Sequence, residues 1–259
     1  MKCKNCDVTL RTDFLYCPAC GAKVIRNRIT VRNLWVDILE RYFNLDNTFV
    51  NTFVHLITKP EVVIEGYIQG LRRKYLNPIS YLAISLTLSG FIVFLMSKLM
   101  GQINFDIFNT GANSVAQEKM MDVVFDIQAL VFVLYIPIMA IAGWLCFDQK
   151  KYNFSERTVI FMYTLAQYSL SIFLPAVVIL IVAPQAYAPF SLLTVAFMFL
   201  YAGYVIMRIS KSRGISLISR IFIFYLILGV LYMVTSSIIP LIMFITGNLE
   251  LQDFAPVKN

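Results

Sequence analysis

The chain has 259 residues, of which 59% are hydrophobic and only 14% charged, with a mean hydropathy of +0.71. That is far more apolar than an ordinary soluble domain of this length, and it places most of the chain in a bilayer. The formal charge of +7 would suggest nucleic acid in a soluble protein, but in a membrane protein it is first explained by basic loops held on the cytoplasmic side.

Residues 1–26 carry two Cys-x-x-Cys pairs, Cys3-Lys4-Asn5-Cys6 and Cys17-Pro18-Ala19-Cys20. Each pair lets one tight turn direct two sulfurs at one ion, and two such turns complete a tetrahedron. Val8-Thr9-Leu10 and Phe14-Leu15-Tyr16 are expected to pair as brief strands about Arg11-Thr12-Asp13, giving a small β-hairpin of the zinc-ribbon type. So short a head buries too little core to fold unaided. Metal binding, worth about 10 to 16 kcal/mol in comparable peptides, is expected to drive its folding. Four thiolates close the coordination shell, so the expected cofactor is one structural zinc; four sulfurs alone also suit iron. A disulfide pair would need an oxidising compartment. Cysteines and charges occupy these first residues where a signal peptide needs an apolar core, so the N-terminus is expected to stay attached and untranslocated.

Residues 27–77 read as an amphipathic linker. Thr30 caps a helix bringing Val31, Leu34, Trp35, Ile38, Leu39, Tyr42 and Phe43 to one face. A second helix from Asp46 or Asn47 groups Phe49, Val50, Phe53, Val54 and Ile57, and Lys59-Pro60 closes it and opens a third around Val63, Tyr67 and Ile68. Periodicity alone leaves two covers open, a lipid interface or the rest of the protein. Arg72-Arg73-Lys74 and then Asn77-Pro78 end the linker, as expected for a stop before a span.

Residues 78–250 are expected to hold five spans, near 79–99, 126–147, 158–182, 187–208 and 220–247, each built on an uncharged run long enough to cross about 30 Å of hydrocarbon. The third and fourth are one uninterrupted apolar run that Pro184 to Pro189 divides. Residues 251–259 form a tail. The fold expected is thus an all-α membrane bundle of five transmembrane helices behind amphipathic helices and a zinc ribbon. Of 22 basic residues, all but Lys98, Lys119 and Lys258 fall before the first span or in the second and fourth loops. This predicts a cytoplasmic amino terminus and a carboxyl terminus on the opposite side.

Candidate sites outside the cysteines are weaker. Arg72, Arg73, Lys74, Arg208, Lys211 and Arg213 are candidates for anionic headgroups. Asp126, Gln128 and Gln167 are candidates for an intramembrane polar site, with interhelical hydrogen bonding as the plainer role for Gln167, Thr164 and Ser171. Ser85, Ser89, Gly90, Ala202 and Gly203 offer small faces for close helix packing. Pro137, Pro175 and Pro240 are expected to kink their spans. Nothing matches a nucleotide loop, a His-Glu-x-x-His pair or a catalytic dyad, and His55 is the lone histidine. No catalytic residue is therefore assigned and no enzymatic activity is expected.

The ribbon ending Cys17-Pro18-Ala19-Cys20-Gly21, then Arg28-Ile29-Thr30, Phe43-Asn44-Leu45-Asp46, Lys59-Pro60, Gly66-Tyr67-Ile68-Gln69-Gly70 and Arg72 through Pro78, with Tyr135-Ile136-Pro137 downstream, resemble a bacterial group of membrane proteins, the domain-of-unknown-function family 3667. The five-span layout is also similar to the broader Yip1 membrane family. The resemblance implies zinc at Cys3, Cys6, Cys17 and Cys20 and an inner-membrane location, and implies no activity. Members place a Glu-His pair before the third span, where this chain has Glu156-Arg157. The functional expectation is a non-enzymatic adaptor or scaffold whose head engages a cytoplasmic protein partner or the membrane surface, with no role for nucleic acid and with homo-oligomers allowed. The alternative is a transporter, channel or lipid-handling protein regulated by the ribbon.

Overall fold

The computed structural model describes residues 2–3, 5–21, 24, 48–103, 115–147, 151–210 and 214–250. Two compact units emerge, Met1–Asp46 and Asn47–Asn259. The expected helix from Thr30 through Phe43, the tail 251–259, Lys211 and Arg213 lie outside the described residues.

The second unit is helical. Its elements are α1 (Thr48–Thr58), α2 (Pro60–Ile68), α3 (Pro78–Leu99), α4 (Val115–Cys146), α5 (Phe154–Val182), α6 (Tyr187–Ile209) and α7 (Ile215–Ile245), with short 3-10 turns at Met100–Gln102 and Pro184–Ala186. Among the described residues, helices α3 to α7 are the five long and apolar enough to cross a membrane. Their alternation puts the start of α3, the end of α4, the start of α5, the end of α6 and the start of α7 at one end of the bundle, called the proximal end below.

Local signals set the helix starts. Asn77 accepts a hydrogen bond from Ser80 N at 2.8 Å and Pro78 follows at the first helical position. Asn153 and Glu156 form a reciprocal capping box, each 2.8 Å from the other's backbone N–H. Gly214 takes a positive φ of 66° before α7. Three helices begin before the spans expected from charge alone. α4 begins at Val115 rather than near 126, α5 at Phe154 rather than 158, and α7 at Ile215 rather than 220. Charged residues such as Lys119, Glu156 and Arg157 are good helix formers and extend the helix beyond the hydrocarbon, so a charge ends the apolar run without ending the helix.

α5 is the central helix, touching α1, α2, α3, α4 and α6. Its contact with α3 is built on small and hydroxyl side chains. Ser85 and Ser89 are buried, and Ser89 and Ser169 hydroxyls lie 2.7 Å apart. Gln167, fully buried, accepts a hydrogen bond from Tyr81 and donates to Ser171 at 3.2 Å. Gln167 and the Ser89–Ser169 pair bond between helices, whereas Ser171 and Thr164 bond within α5 and Ser85 within α3. Ala202 is buried as expected, whereas Gly90 faces open space. Gly203 lets Tyr225 of α7 lie across α6, where the Tyr225 hydroxyl reaches Phe199 O at 2.8 Å, and Gly143 of α4 admits the Phe161 ring of α5. The three internal prolines fall within α4, α5 and α7.

The linker question has a structural answer for α1 and α2: both pack on the bundle. Leu56, Val63 and Ile64 are buried in one cluster with Tyr81, Tyr163 and Tyr201. Phe49, Phe53, Tyr67 and Ile68 are partly buried against it.

A Cβ added at Gly203 would sit 2.9 Å from Tyr225 Cζ, while one at Gly90 meets nothing within 4 Å. Gly203→Ala is expected to destabilise the α6–α7 contact by about 1 to 3 kcal/mol. Gly90→Ala should be silent, and thermal melts of the two variants in one detergent check the contrast.

Candidate metal centre and the polar latch of the bundle

The four thiols of Cys3, Cys6, Cys17 and Cys20 converge, with all sulfurs within 4.8 Å of one another. Cys3 and Cys20 sulfurs are 3.7 Å apart and Cys6 and Cys17 sulfurs 3.5 Å. A disulfide needs about 2.05 Å, so these are free thiols. The edge of a tetrahedron with Zn–S of 2.3 Å is about 3.8 Å, close to both separations. The residues thus fit a four-sulfur metal ion.

The two turns are built alike. Asp7 N donates to Cys3 O at 3.0 Å and Gly21 N to Cys17 O at 2.8 Å, so each backbone closes over its own Cys-x-x-Cys. The residue after each second cysteine takes a positive φ, 58° at Asp7 and 71° at Gly21, one a residue type that tolerates the left-handed region and the other the one that prefers it. Asn5 N also points at Cys3 Sγ, 3.4 Å away. The expected hairpin does not form as drawn. Among the described residues there is no extended strand; Lys2 and Thr9 make an isolated antiparallel bridge, Cys3 N bonds Val8 O, and Val24 N bonds Leu15 O. Each flank folds back on its own knuckle, because a tight turn returns the chain beside the strand that entered it. The core is Cys3, Leu10 and Cys17 with Phe14 and Val24 against them, while Val8, Leu15 and Tyr16 are exposed. A backbone hydrogen bond at Val8 lowers the Cys6 pKa, but the adjoining Cys20, desolvation, Cys17 and Cys3 outweigh it and push the thiol up to about 12. Four crowded sulfurs hold protons unless a cation replaces them.

On the other unit the polar groups gather at the proximal end. Glu61 accepts from Arg208 Nε at 3.0 Å and from its second nitrogen at 2.5 Å, a two-point pair between α2 and α6. Glu65, one turn on, accepts from Lys151 Nζ at 2.8 Å and from the Tyr152 hydroxyl at 2.5 Å, and Lys151 also donates to Ile209 O at 2.6 Å. The α1–α2 hairpin is thereby latched to the loop before α5 and to the end of α6. Arg157, buried, donates to Gly143 O at 3.0 Å, Tyr152 O at 3.3 Å and Phe147 O at 3.4 Å, placing a cation at the carbonyl end of α4.

Among the headgroup candidates, Arg208 is committed to Glu61, Arg72 stacks 3.9 Å over Tyr67 and Lys74 lies 5.5 Å over Tyr75. Arg73 is exposed. The three intramembrane candidates are not brought together by any hydrogen bond among the described residues: Gln167 bonds Tyr81 and Ser171, while Asp126 stands exposed on α4 and Gln128 is half-buried. The latch residues Glu61, Glu65, Lys151 and Tyr152 were not singled out from sequence, and Arg157 only as a departure from a family pattern. Glu61 and Glu65, four apart on a helix whose apolar residues face inward, were the available signal, but partners 86 to 147 residues away leave no local trace.

Five apolar helices in one bundle, preceded by a latched amphipathic hairpin, define a multi-pass membrane protein. Residues 46–90 match the model of the family described as protein of unknown function (DUF3667), which bears out the family resemblance over α1, α2 and the first half of α3. Comparison with curated proteins and with solved structures gave no match.

Replacing Cys17 and Cys20 with Ser is expected to remove bound metal from the purified protein, read as moles of zinc and iron per chain by elemental analysis. Burial raises the pKa of Glu65, but Lys151 and Tyr152 outweigh it and hold it below the ordinary 4.5; Arg208 does the same for Glu61. A depressed carboxylate stabilises fully above its ordinary pKa and loses that contribution as pH falls through the lowered value. The latch is therefore expected to hold from neutral pH to about 5 and to loosen in acid. Glu65→Gln should cost about 1 kcal/mol at neutral pH and flatten the acid limb, as measured by melting temperature against pH.

Proposed function

We propose that the chain is a non-enzymatic adaptor of the bacterial inner membrane, anchored by its five spans with the head in the cytoplasm and the carboxyl terminus on the opposite side. In this reading Cys3, Cys6, Cys17 and Cys20 hold one structural zinc, which supplies the folding free energy of the head and leaves no open coordination position for catalysis. The observation that carries it is the pairing of a closed four-sulfur cluster with an exposed apolar rim of Val8, Leu15 and Tyr16. A head stabilised by metal can spend its few large side chains on a partner rather than on its own core. The distribution of Lys and Arg supports the orientation.

A transporter or lipid-handling protein governed by the same head is the second reading. Pro137, Pro175 and Pro240 within three spans favour it, because each removes a backbone donor and frees a carbonyl inside the bundle.

Crosslinking in intact cells separates the two. Leu15→Ser with Tyr16→Ser is expected to keep zinc at one per chain and to lose at least tenfold of a specific crosslinked partner, as one or two buried anchors carry most of such an interface. Unchanged crosslinks in that variant, together with protein-dependent flux of an ion or lipid in vesicles, would overturn the adaptor reading in favour of transport.

A further inference from the structure

We infer that α1 lies within the lipid leaflet as a half-inserted helix, with one face on α3, α5 and α6 and its Val50, Val54 and Ile57 face on acyl chains.

The depth of α1 follows from a ladder of contacts along one face of α6. Arg208 pairs with Glu61, the Tyr204 hydroxyl donates to Thr58 O at 3.1 Å, and the Tyr201 hydroxyl donates to Leu56 O at 2.9 Å. Seven residues separate Arg208 from Tyr201, a rise of about 10 Å, against a leaflet of about 15 Å of hydrocarbon. The charged pair marks the polar boundary; Thr58, the last residue of α1, meets α6 about 6 Å below it and Leu56 about 10 Å below it. At the other end of α1, the Phe49 ring is 5.8 Å from that of Tyr81, one turn inside α3. The same face of α6 continues one turn deeper with Phe197, which is 37% exposed and stacks on Tyr201 at 6.1 Å. α1 therefore covers the upper part of a face whose next turn, at Phe197, is apolar and partly exposed at membrane depth.

The backbone bonding of α1 is a second, independent observation. A helix end in water gives its last carbonyls to solvent, but in hydrocarbon each must find a protein donor. Here Tyr201 and Tyr204 supply phenol hydroxyls to Leu56 O and Thr58 O, and Lys59 N bonds His55 O at 2.7 Å. The hydroxyls of Thr52 and Thr58 turn back to Thr48 O and Val54 O at 2.5 and 2.9 Å. What remains outward is the row Val50, Val54 and Ile57, each about half exposed and spaced at i, i+4 and i+7. An uncharged apolar row at that depth fits acyl chains as its occupant.

The chain has two tryptophans, Trp35 and Trp144, so Trp35→Phe with Trp144→Phe gives a silent background. Val54→Trp, and separately Val50→Trp, would report from the row in the full-length protein reconstituted in phosphatidylcholine and phosphatidylglycerol vesicles. Lipids brominated near the headgroup end of the chain are expected to cut its fluorescence about twofold, more than lipids brominated near the terminal methyl, while aqueous iodide has no effect. Quenching by iodide at both positions would place the row in water and overturn the inference. Protection from both quenchers would mean that protein covers it, a second copy or the amino-terminal head, and would overturn the inference as well.

Discussion

Backbone and side-chain polar groups within hydrocarbon have no water to turn to, and this constraint organises the whole helical unit. α5 carries more polar side chains into the bundle than its neighbours, and each is answered locally: Gln167 by Tyr81 and Ser171, Ser169 by Ser89, Thr164 by Ile160 O at 2.8 Å. No buried side-chain nitrogen or oxygen among the described residues lacks a partner. α3 and α5 share apolar contacts such as Ile92 with Ala176 and Leu180, and the hydroxyl and amide bonds set among them add a directional constraint on register that apolar contact in lipid lacks. The aromatic cluster of Tyr67, Tyr81 and Tyr163, with ring centroids about 6 Å apart, extends that register to the α1–α2 hairpin.

The same accounting explains the proximal end. Arg157 satisfies carbonyls at the end of α4, Lys151 one at the end of α6, and Tyr201 and Tyr204 two at the end of α1. Cations and phenols thus serve as caps where glycine motifs or water would serve in a soluble protein. Glu61 and Glu65 then join the hairpin to two different segments, so that α1 and α2 belong to the bundle rather than to a tether. In the other unit a different constraint governs. The four sulfurs take the place of a hydrophobic core, and the turns at Asp7 and Gly21 exist to aim them.

How much of this the sequence disclosed follows from the range of each interaction. Spans announce themselves by local hydropathy, and Cys-x-x-Cys announces a turn by its spacing, so five apolar helices and a convergent cysteine quartet were both legible. The amphipathic character of α1 and α2 was legible too, through Phe49, Phe53 and Val63, but not what covers them. Periodicity records an apolar face, and the answer lay in Tyr201, Arg208 and Lys151, far along the chain. The β-hairpin was misdrawn because short alternating segments pair with any neighbour in reach, and the knuckles supplied nearer ones. Asp126 bounds an apolar run yet lies within α4, since a charge can bound the hydrocarbon without ending the helix. Arg157 was set aside as a departure from a pattern, although a buried guanidinium bonded to three carbonyls is a structural element in its own right.

The latch also orders events in time. Leu56, Thr58 and Glu61 find their partners 145 to 147 residues later in the chain. During synthesis the hairpin emerges before every span, and the site it docks on, begun by α3 and α5, stays incomplete until α6 has been made and inserted. Through that interval its apolar faces need temporary cover, from the membrane surface or from the insertion machinery. The hairpin is therefore locked in place only late in assembly, and a chain halted before α6 would hold it by α3 and α5 alone, without the Tyr201, Tyr204 and Arg208 contacts.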